Sequence, residues 1–394
     1  MILASRRSVH PAHFAITGLM IAALSGSAAL FASSAALADD VTTDAQHAYI
    51  VDYQTGAVIL DKQGDERIPP ASTSKLMTIY LLFDALKRGD LKLTDTFHVS
   101  KKAWSTQGSK MFVDINSDVA IEDLIRGIII QSGNDACVVV AEGMAGSEEA
   151  FAERMTSKAK ELGMSGSHFV DASGLPDPEQ YMTAHDLEIL ARHLIDDFPQ
   201  FYHYFSEKEF TWHGIKQGNR NPLLYRAGSG VDGLKTGHTE ESGFSLVASA
   251  VRENRRIIMV AQGLNSMQNR ADAGGDLLDW AFRETANYTI ATKGAVLAEA
   301  PVWMGTAQTV PLTVPKDLIA TLPRGAKSKI TAKAVFEGPL QAPIAAGREV
   351  GKLVISSPDH PDFEAPLVAA ADVPEKNLPA RMWTKLNYLI FGGS

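Results

Sequence analysis

Three short strings, Ser72-Thr73-Ser74-Lys75, Ser132-Gly133-Asn134 and Lys235-Thr236-Gly237, decide the fold of this chain. The first places a serine three residues before a lysine, so both side chains share one face of a helical turn. The second string adds a hydroxyl and an amide, and the third adds a cation and a hydroxyl beside a glycine. Because a serine becomes a good nucleophile only when a nearby base takes its proton, the three strings indicate an enzyme that forms an acyl-serine intermediate.

The first string stands at a predicted helix start. Pro69-Pro70 breaks the chain before it, and apolar residues at helical spacing follow, from Leu76 to Leu86. A desolvated lysine close to other cations has a lowered pKa and serves as a base. The N-terminus of the helix would also favour negative charge on the attacked carbonyl oxygen. We therefore predict that Ser72 is the nucleophile and Lys75 the base.

The second string follows the apolar Ile128-Ile129-Ile130 and precedes a helix-like segment. We expect Ser132 to lie on a short buried connection, where its hydroxyl relays a proton to the leaving group. The Asn134 amide would contact Lys75 and the substrate backbone. A helix N-cap is the alternative for either side chain.

The third string precedes a strand-like segment, Gly243 to Val251, and itself predicts a strand edge. Lys235 and Thr236 on such an edge suit a substrate carboxylate, and Gly237 permits close approach of a backbone. The neighbouring run from Gly228 to Gly233 fits the dinucleotide pattern G-x-G-x-x-G, but a strand follows it where that pattern requires a helix. We interpret the run from Gly228 to Gly233 as a flexible segment that leads into the edge strand.

The length of 394 residues predicts two folded units. Strands, then helices, then strands indicate an α/β (α+β) catalytic domain with an antiparallel sheet over residues 39–290, and short apolar segments between Pro and Gly indicate a small all-β domain over 298–373. The strands are predicted over 47–53, 57–60, 243–251 and 256–262, and the further helices over 121–130, 135–144, 147–162 and 184–196.

The two ends of the chain predict export and membrane attachment. Residues 1–38 combine two arginines, an apolar stretch and Ala36-Leu37-Ala38, which is typical of a signal peptide; a retained anchor helix is the alternative. The tail 376–394 contains an amphipathic helical pattern from Leu378 to Phe391. At about 21 Å such a helix is shorter than the ~30 Å hydrocarbon core, so it would lie on a membrane surface. The alternative is a terminal helix packed on the protein.

Composition excludes several classes of function. The formal net charge of −9 gives no reason to expect nucleic-acid binding. Cys137 is the only cysteine, so no intrachain disulfide can form, and its apolar surroundings indicate a buried structural thiol. No motif among the 11 histidines has metal-ligand spacing. We predict no metal and no cofactor.

With these residues in view, the chain resembles the low-molecular-mass penicillin-binding proteins that act as serine-type D-alanyl-D-alanine carboxypeptidases of the S11 type. The likeness includes the strings Ser132 to Cys137 and Asp232 to Thr239, the following β domain and the terminal helix. It implies a penicillin-binding/β-lactamase-like transpeptidase fold and removal of the terminal D-alanine from peptidoglycan pentapeptide stems through an acyl-enzyme on Ser72. It also implies acylation by β-lactam antibiotics and a periplasmic location on the outer surface of the cytoplasmic membrane.

The resemblance also implies roles for individual residues. The backbone N–H groups of Ser72 and His238 would form the oxyanion hole, and Arg270 would be a further carboxylate contact, although a solvated loop arginine is its alternative. Ser173 departs from the family pattern, in which a histidine is frequent. The implied catalytic residues are Ser72, Lys75, Ser132 and Asn134, and the implied substrate-binding residues are Lys235, Thr236, Gly237, His238 and Arg270.

Three alternatives to this function remain. A class A β-lactamase usually has Asp where this chain has Gly133, and it lacks the β domain and tail. A D,D-endopeptidase shares the nucleophile chemistry, but the short interval between Ser72 and Ser132 argues against the subgroup with a large insertion there. A non-catalytic cell-wall-binding protein would not need the intact pair Ser72 and Lys75.

Overall fold

The computed structural model describes residues 41–357 and 360–391. The described residues divide into two compact units, one that ends at Thr285 and one that begins at Ala286. The predicted signal peptide, residues 1–38, and the last three residues of the predicted tail lie outside the described residues.

The first unit combines nine strands with seven α-helices. The strands are β1 (His47–Asp52), β2 (Val58–Lys62), β3 (Thr96–His98), β4 (Asp118–Ala120), β5 (Glu209–Trp212), β6 (Ile215–Gly218), β7 (Val231–Thr239), β8 (Gly243–Arg252) and β9 (Arg255–Leu264). The helices are α1 (Lys75–Arg88), α2 (Lys101–Ser105), α3 (Ile121–Ile129), α4 (Asn134–Ala145), α5 (Glu148–Glu161), α6 (Ala184–Asp197) and α7 (Met267–Glu284). The predicted hairpin of β1 and β2, the helices α1 and α3 to α6, and the strands β8 and β9 are confirmed.

A five-stranded antiparallel sheet is the centre of this unit, with strand order β2-β1-β9-β8-β7. Successive side chains of a strand point to opposite faces. In β9, Ile258 and Val260 join the core that contains α1 and α6, whereas Ile257 and Met259 join the core that contains α7. Helices therefore cover both faces of the sheet, which explains why β8 and β9 are continuous apolar runs.

Helix α1 is buried on nearly all sides. The sequence pattern predicted a single apolar face, yet Met77 and Leu82, which lie off that face, are also fully buried. The helix ends at Gly89, whose left-handed φ of 79° suits a C-cap. Since α1 lies inside the unit, the turn that precedes it is firmly anchored.

Helix α7 was not predicted, because its first half has few apolar residues and contains Gly274-Gly275. The Ser266 hydroxyl caps it by accepting from Asn269 N at 3.0 Å. A β-carbon at Gly274 would lie 2.7 Å from Leu246 Cδ2. The glycine that weakens the helical pattern is thus what allows α7 to approach the sheet.

The second unit is mainly β-structure. Its strands are β10 (Thr285–Ala291), β11 (Ala298–Trp303), β12 (Thr309–Thr313), β13 (Leu318–Pro323), β14 (Thr331–Phe336), β15 (Leu340–Gln341), β16 (Glu349–Ser357) and β17 (His360–Ala369). Six of them form a sheet of order β14-β16-β17-β12-β11-β15, and β10 pairs with β13. Alternate side chains such as Leu312, Leu353 and Leu367 fill its core.

The predicted terminal helix is present as α8 (Leu378–Phe391). The residues just before the helix are bonded to the β-structure, since Lys376 N donates to Met304 O at 2.8 Å. Further along the helix, the Tyr388 ring packs edge-on against Trp303, with the ring centroids 5.0 Å apart. Large apolar side chains of the helix stay 48–75% exposed: Leu378, Met382, Trp383, Leu386, Leu389 and Ile390. No helix in the described part of the chain combines the length and apolar character needed to span a bilayer.

Candidate active site

Ser72 lies in a 3-10 turn, Ala71–Ser74, and Lys75 is the first residue of α1. The sequence predicted that the serine lies in the first turn of the α-helix. In the structure it lies in the tighter 3-10 turn that precedes this helix. Lys75 Nζ donates to Ser72 Oγ at 2.9 Å. The predicted pair is therefore brought together within hydrogen-bond distance.

The Lys75 amine is completely buried. Burial is the largest influence and lowers the pKa of Lys75; Arg220 lowers it further, while Cys137, Asp171 and Asp135 act in the opposite direction. Nζ also donates to the Ser173 carbonyl, a contact that the sequence did not predict. The neutral amine that a base requires is thus more accessible at this position than in an exposed lysine.

Ser132 lies, as predicted, on the buried connection between α3 and α4, with a left-handed φ of 58°. Asn134 is the first residue of α4, whose N-cap is Gly133 without a side-chain bond, so the N-cap alternative is wrong. The Asn134 side-chain nitrogen donates to Gln107 O at 2.8 Å. The buried Asp135 carboxylate accepts from Met111 N and Phe112 N, both at 2.8 Å, which holds the 107–113 loop against the second string.

Lys235 and Thr236 lie in β7, the edge strand of the sheet. Lys235 Nζ donates to Ser132 Oγ and to Thr236 O, both at 3.0 Å. Its pKa is held well below the usual value, first by burial and then by the nearby cations Lys75, Arg220 and Arg270. The second and third strings are therefore joined directly.

Gly237 brings the edge strand close to the serine turn. A β-carbon there would lie 2.5 Å from Ser245 Oγ and 3.1 Å from Pro70 O. The sequence assigned this glycine to substrate approach, and the structure shows that it also accommodates Pro70 beside the turn. His238 follows on β7, where its exposed side chain packs against Phe244 with the ring centroids 3.8 Å apart and the ring planes tilted by 32°.

Arg270 is in the first turn of α7 and only 7% exposed, so the solvated-loop alternative is wrong. Burial and then Arg220 lower its pKa to about 10. Its Nη2 donates weakly to Arg220 O at 3.4 Å, and its Nε has no hydrogen-bond partner among the residues that the structure describes. Arg220 itself, which the sequence did not single out, donates to Ser109 Oγ at 2.6 Å.

The site thus gathers four basic side chains around two hydroxyl groups. After burial, the Arg220 charge lowers the pKa of Lys75, Lys235 and Arg270, and Lys75 and Arg270 also lower the pKa of Lys235. Buried basic groups that lack some of their hydrogen-bond partners can bind an anionic group of a ligand, because charge-assisted hydrogen bonds to a carboxylate are strong. Arg220, Gln107 and the contact of the Ser173 carbonyl with Lys75 were missed, since they depend on long-range folding, which spacing in the sequence does not reveal.

The fold and these strings define the penicillin-binding class of serine acyl enzymes. A family profile described as D-alanyl-D-alanine carboxypeptidase matches residues 32–266, and one described as penicillin-binding protein 5, C-terminal domain, matches residues 286–375. The chain belongs to the D-alanyl-D-alanine carboxypeptidase family.

Individual relatives agree with this membership. The chain is 37% identical over 361 residues to the D-alanyl-D-alanine carboxypeptidase DacA of Escherichia coli strain K12. The matched region covers 87% of this chain and 90% of the relative. The solved structure of penicillin-binding protein 5 from Haemophilus influenzae matches with TM-score 0.77 and 37% identity, over 86% of this chain and all of the other. Penicillin-binding protein D2 from Listeria monocytogenes in its ampicillin-bound form matches with TM-score 0.57 and 27% identity, over 62% and 100%.

Proposed function

We propose that this chain is a serine-type carboxypeptidase that removes the terminal D-alanine from peptidoglycan pentapeptide stems. The observation that carries the proposal is the 2.9 Å bond between Ser72 Oγ and the fully buried Lys75 amine. Family membership supports the substrate class, since relatives that cover most of the chain are named D-alanyl-D-alanine carboxypeptidases.

In the acylation step, neutral Lys75 takes the Ser72 proton while Oγ attacks the carbonyl carbon between the two D-alanines. The backbone N–H groups of Ser72 and His238 stabilise the negative charge on the carbonyl oxygen. When the peptide bond breaks, the proton that Lys75 accepted passes through the Ser132 hydroxyl, which lies beside Lys235 Nζ, to the leaving amine, and Lys75 is neutral again. Free D-alanine departs, and an ester remains on Ser72.

In the deacylation step, Lys75 takes a proton from water as the water oxygen attacks the ester carbon. The bond to Ser72 Oγ breaks, Oγ regains a proton from Lys75, and the new carboxylic acid of the shortened stem releases its proton to water and leaves as a carboxylate. The same base thus serves both half-reactions.

Substrate recognition is assigned to the edge strand and the cation cluster. The terminal carboxylate would bind Lys235, Thr236 and Arg270, and Asn134 would hold the substrate backbone. Because β7 is an edge strand, an extended peptide can bind along it next to Gly237. A β-lactam presents a carboxylate and a reactive carbonyl in the same way, and the ampicillin-bound form of the Listeria relative supports acylation of Ser72 by penicillins.

The decisive experiment follows a purified pentapeptide muropeptide by mass spectrometry during incubation with the protein. We expect loss of one D-alanine and no further cleavage. Preferential cutting of cross-linked dimers would favour the endopeptidase alternative. Rapid hydrolysis of penicillin without trimming of the peptide would favour the β-lactamase alternative, and no reaction with either would favour a binding protein.

We further propose that residues 1–38 direct secretion, that residues 39–290 are the catalytic domain and that 298–373 form the separate β domain. The tail 376–394 would hold the enzyme on the outer surface of the cytoplasmic membrane. The exposed apolar side chains of α8 support attachment, and Arg381 and Lys385 suit anionic lipids.

A further inference from the structure

The loop from Val170 to Gln180 contacts the Lys75 amine through the Ser173 carbonyl oxygen, which accepts a hydrogen bond from Lys75 Nζ. We propose that Asp171 and Gln180 are positioning residues, which hold this carbonyl in place and thereby orient the Lys75 amine toward Ser72. The inference rests on the proposed role of Lys75 as the base.

The Asp171 carboxylate fixes the backbone around Ser173. Its Oδ1 accepts from Gly174 N at 2.6 Å, from Ser173 N at 2.5 Å and from the Ser173 hydroxyl at 3.2 Å. An aspartate that bonds the backbone two and three residues ahead closes a turn with its side chain. The orientation of the Ser173 peptide therefore depends on this one carboxylate.

Gln180 holds the carboxylate in turn. Its Oε1 accepts from Val170 N at 3.0 Å and from Asp171 N at 3.1 Å. Its Nε2 donates to Asp171 Oδ2 at 2.8 Å and to Leu175 O at 3.2 Å. This side chain is 2% exposed and uses both ends of its amide, so neither a carboxylate nor an apolar group can reproduce all four bonds.

The loop is also packed onto the serine turn and α1. Gly174 has φ +84°, and a β-carbon there would lie 1.9 Å from Ala71 O. Thr78 Oγ1 of α1 donates to Ala172 O at 2.6 Å. With residues on both sides of Ser173 fixed in this way, a change in the turn closed by Asp171 is transmitted to Lys75.

Asp171 acts on Lys75 through charge as well. Its carboxylate raises the pKa of Lys75, as do Cys137 and Asp135 of α4, whereas burial and Arg220 lower it. Lys235 is the other cation beside this amine. Removing the negative charge of Asp171 should therefore lower the pKa of Lys75 further and leave more of the amine neutral at low pH.

The test measures the rate of Ser72 acylation by a labelled penicillin against pH in the full-length chain. The variants are Asp171→Asn, Gln180→Glu and the double variant. The asparagine turns a donor toward Gln180 Nε2, and the glutamate turns a carboxylate toward Asp171, whereas the double variant restores one donor facing one acceptor. Asp177→Asn is the matched control, because Asp177 lies in the same loop and bonds only the nearby Glu179 N among the side-chain contacts described.

We expect each single variant to lower the maximal rate about tenfold or more, and the double variant to recover most of the loss. Asp171→Asn should also move the acid limb of the profile to lower pH, which a merely structural change would not do. Asp177→Asn should match the wild type. If Asp171→Asn does not fold, the comparison of Gln180→Glu with the double variant decides.

A folded Asp171→Asn variant with the wild-type maximal rate of acylation and the wild-type acid limb of the pH profile would overturn the inference. Labelling of the wild type at Ser72 would leave the proposed function standing in that case. A folded double variant no faster than the slower single variant would also overturn the pairing. Failure of the wild type to label at Ser72 would overturn the proposed function, and this inference with it.

Discussion

Lys235 Nζ donates to Ser132 Oγ at 3.0 Å, although the two residues are 103 positions apart in the chain. This bond joins the edge strand to the connection between α3 and α4 and makes one site from separate strings. It also leaves the Ser132 hydroxyl next to a cation whose pKa is depressed, which suits a group that passes a proton to a leaving amine.

Replacement of Lys75 tests proton transfer. Lys75→Arg keeps the positive charge but cannot release a proton in the accessible pH range. We expect acylation by penicillin to fall by about 10²–10⁴-fold, the usual contribution of a general base. Burial places the pKa of Lys75 below the usual 10.5. Wild-type acylation should decline as the pH falls through that pKa, because the protonated amine cannot accept a proton.

The control for this variant is its thermal unfolding, which should show that the larger side chain is accommodated. An arginine variant that acylates at the wild-type rate would show that Lys75 is only a structural cation.

Arg270→Gln tests recognition of the terminal carboxylate. A charge-assisted hydrogen bond contributes about 1.5–3 kcal/mol, so cleavage of a peptide ending in D-alanyl-D-alanine should fall by roughly ten- to a hundredfold. The C-terminal amide of the same peptide should be cut slowly by both proteins and show little difference. Arg283→Gln is the control, since Arg283 is on the same helix but pairs with Glu284 at the surface.

Equal losses on the acid and the amide would mean that Arg270 supports the fold and not the carboxylate.

Gly237→Ala tests the close approach of β7 to the serine turn. The new methyl group would meet Ser245 Oγ at 2.5 Å and Pro70 O at 3.1 Å, so the strand or the turn must move. We expect a loss of about 1–3 kcal/mol in the free energy of unfolding together with slower acylation. Adding Ser245→Ala should recover part of the stability, as measured by denaturant unfolding. Stability and acylation equal to wild type would show that the contact is easily relieved.

The predicted and observed structures differ where packing decides the outcome. Regular apolar patterns predicted β1, β8, β9 and the helices α1 and α3 to α6, because burial follows those patterns directly. Helix α7 was missed because Gly274 has low helical propensity, and the reason for a glycine there is its close contact with Leu246, which the sequence does not show. The site residues with local spacing, such as Ser72 and Lys75, were identifiable, whereas Arg220 and the Ser173 carbonyl enter the site only through long-range folding.

The tail offers a test of membrane attachment with two adjacent positions. Leu386 is among the exposed apolar side chains of α8, whereas the polar Asn387 is half-buried and lies about 100° further round the helix. Leu386→Glu should reduce binding to vesicles that contain anionic lipid, since burying a carboxylate in the interface is costly, while Asn387→Glu, with the same change in charge, should reduce it much less. Deletion of residues 376–394 should abolish binding and leave penicillin acylation intact, as measured by vesicle sedimentation and labelling.

Equal binding of the two glutamate variants would contradict insertion of the apolar face. Loss of acylation on deletion would make the tail a part of the catalytic fold.

The most direct measurement of the central claim is mass spectrometry of the protein after reaction with a labelled penicillin, followed by mapping of the modified peptide. We predict one label per chain on the peptide that contains Ser72, and no label in a folded Ser72→Ala variant. Labelling of another peptide, or equal labelling of the alanine variant, would contradict the assignment of Ser72 as the nucleophile.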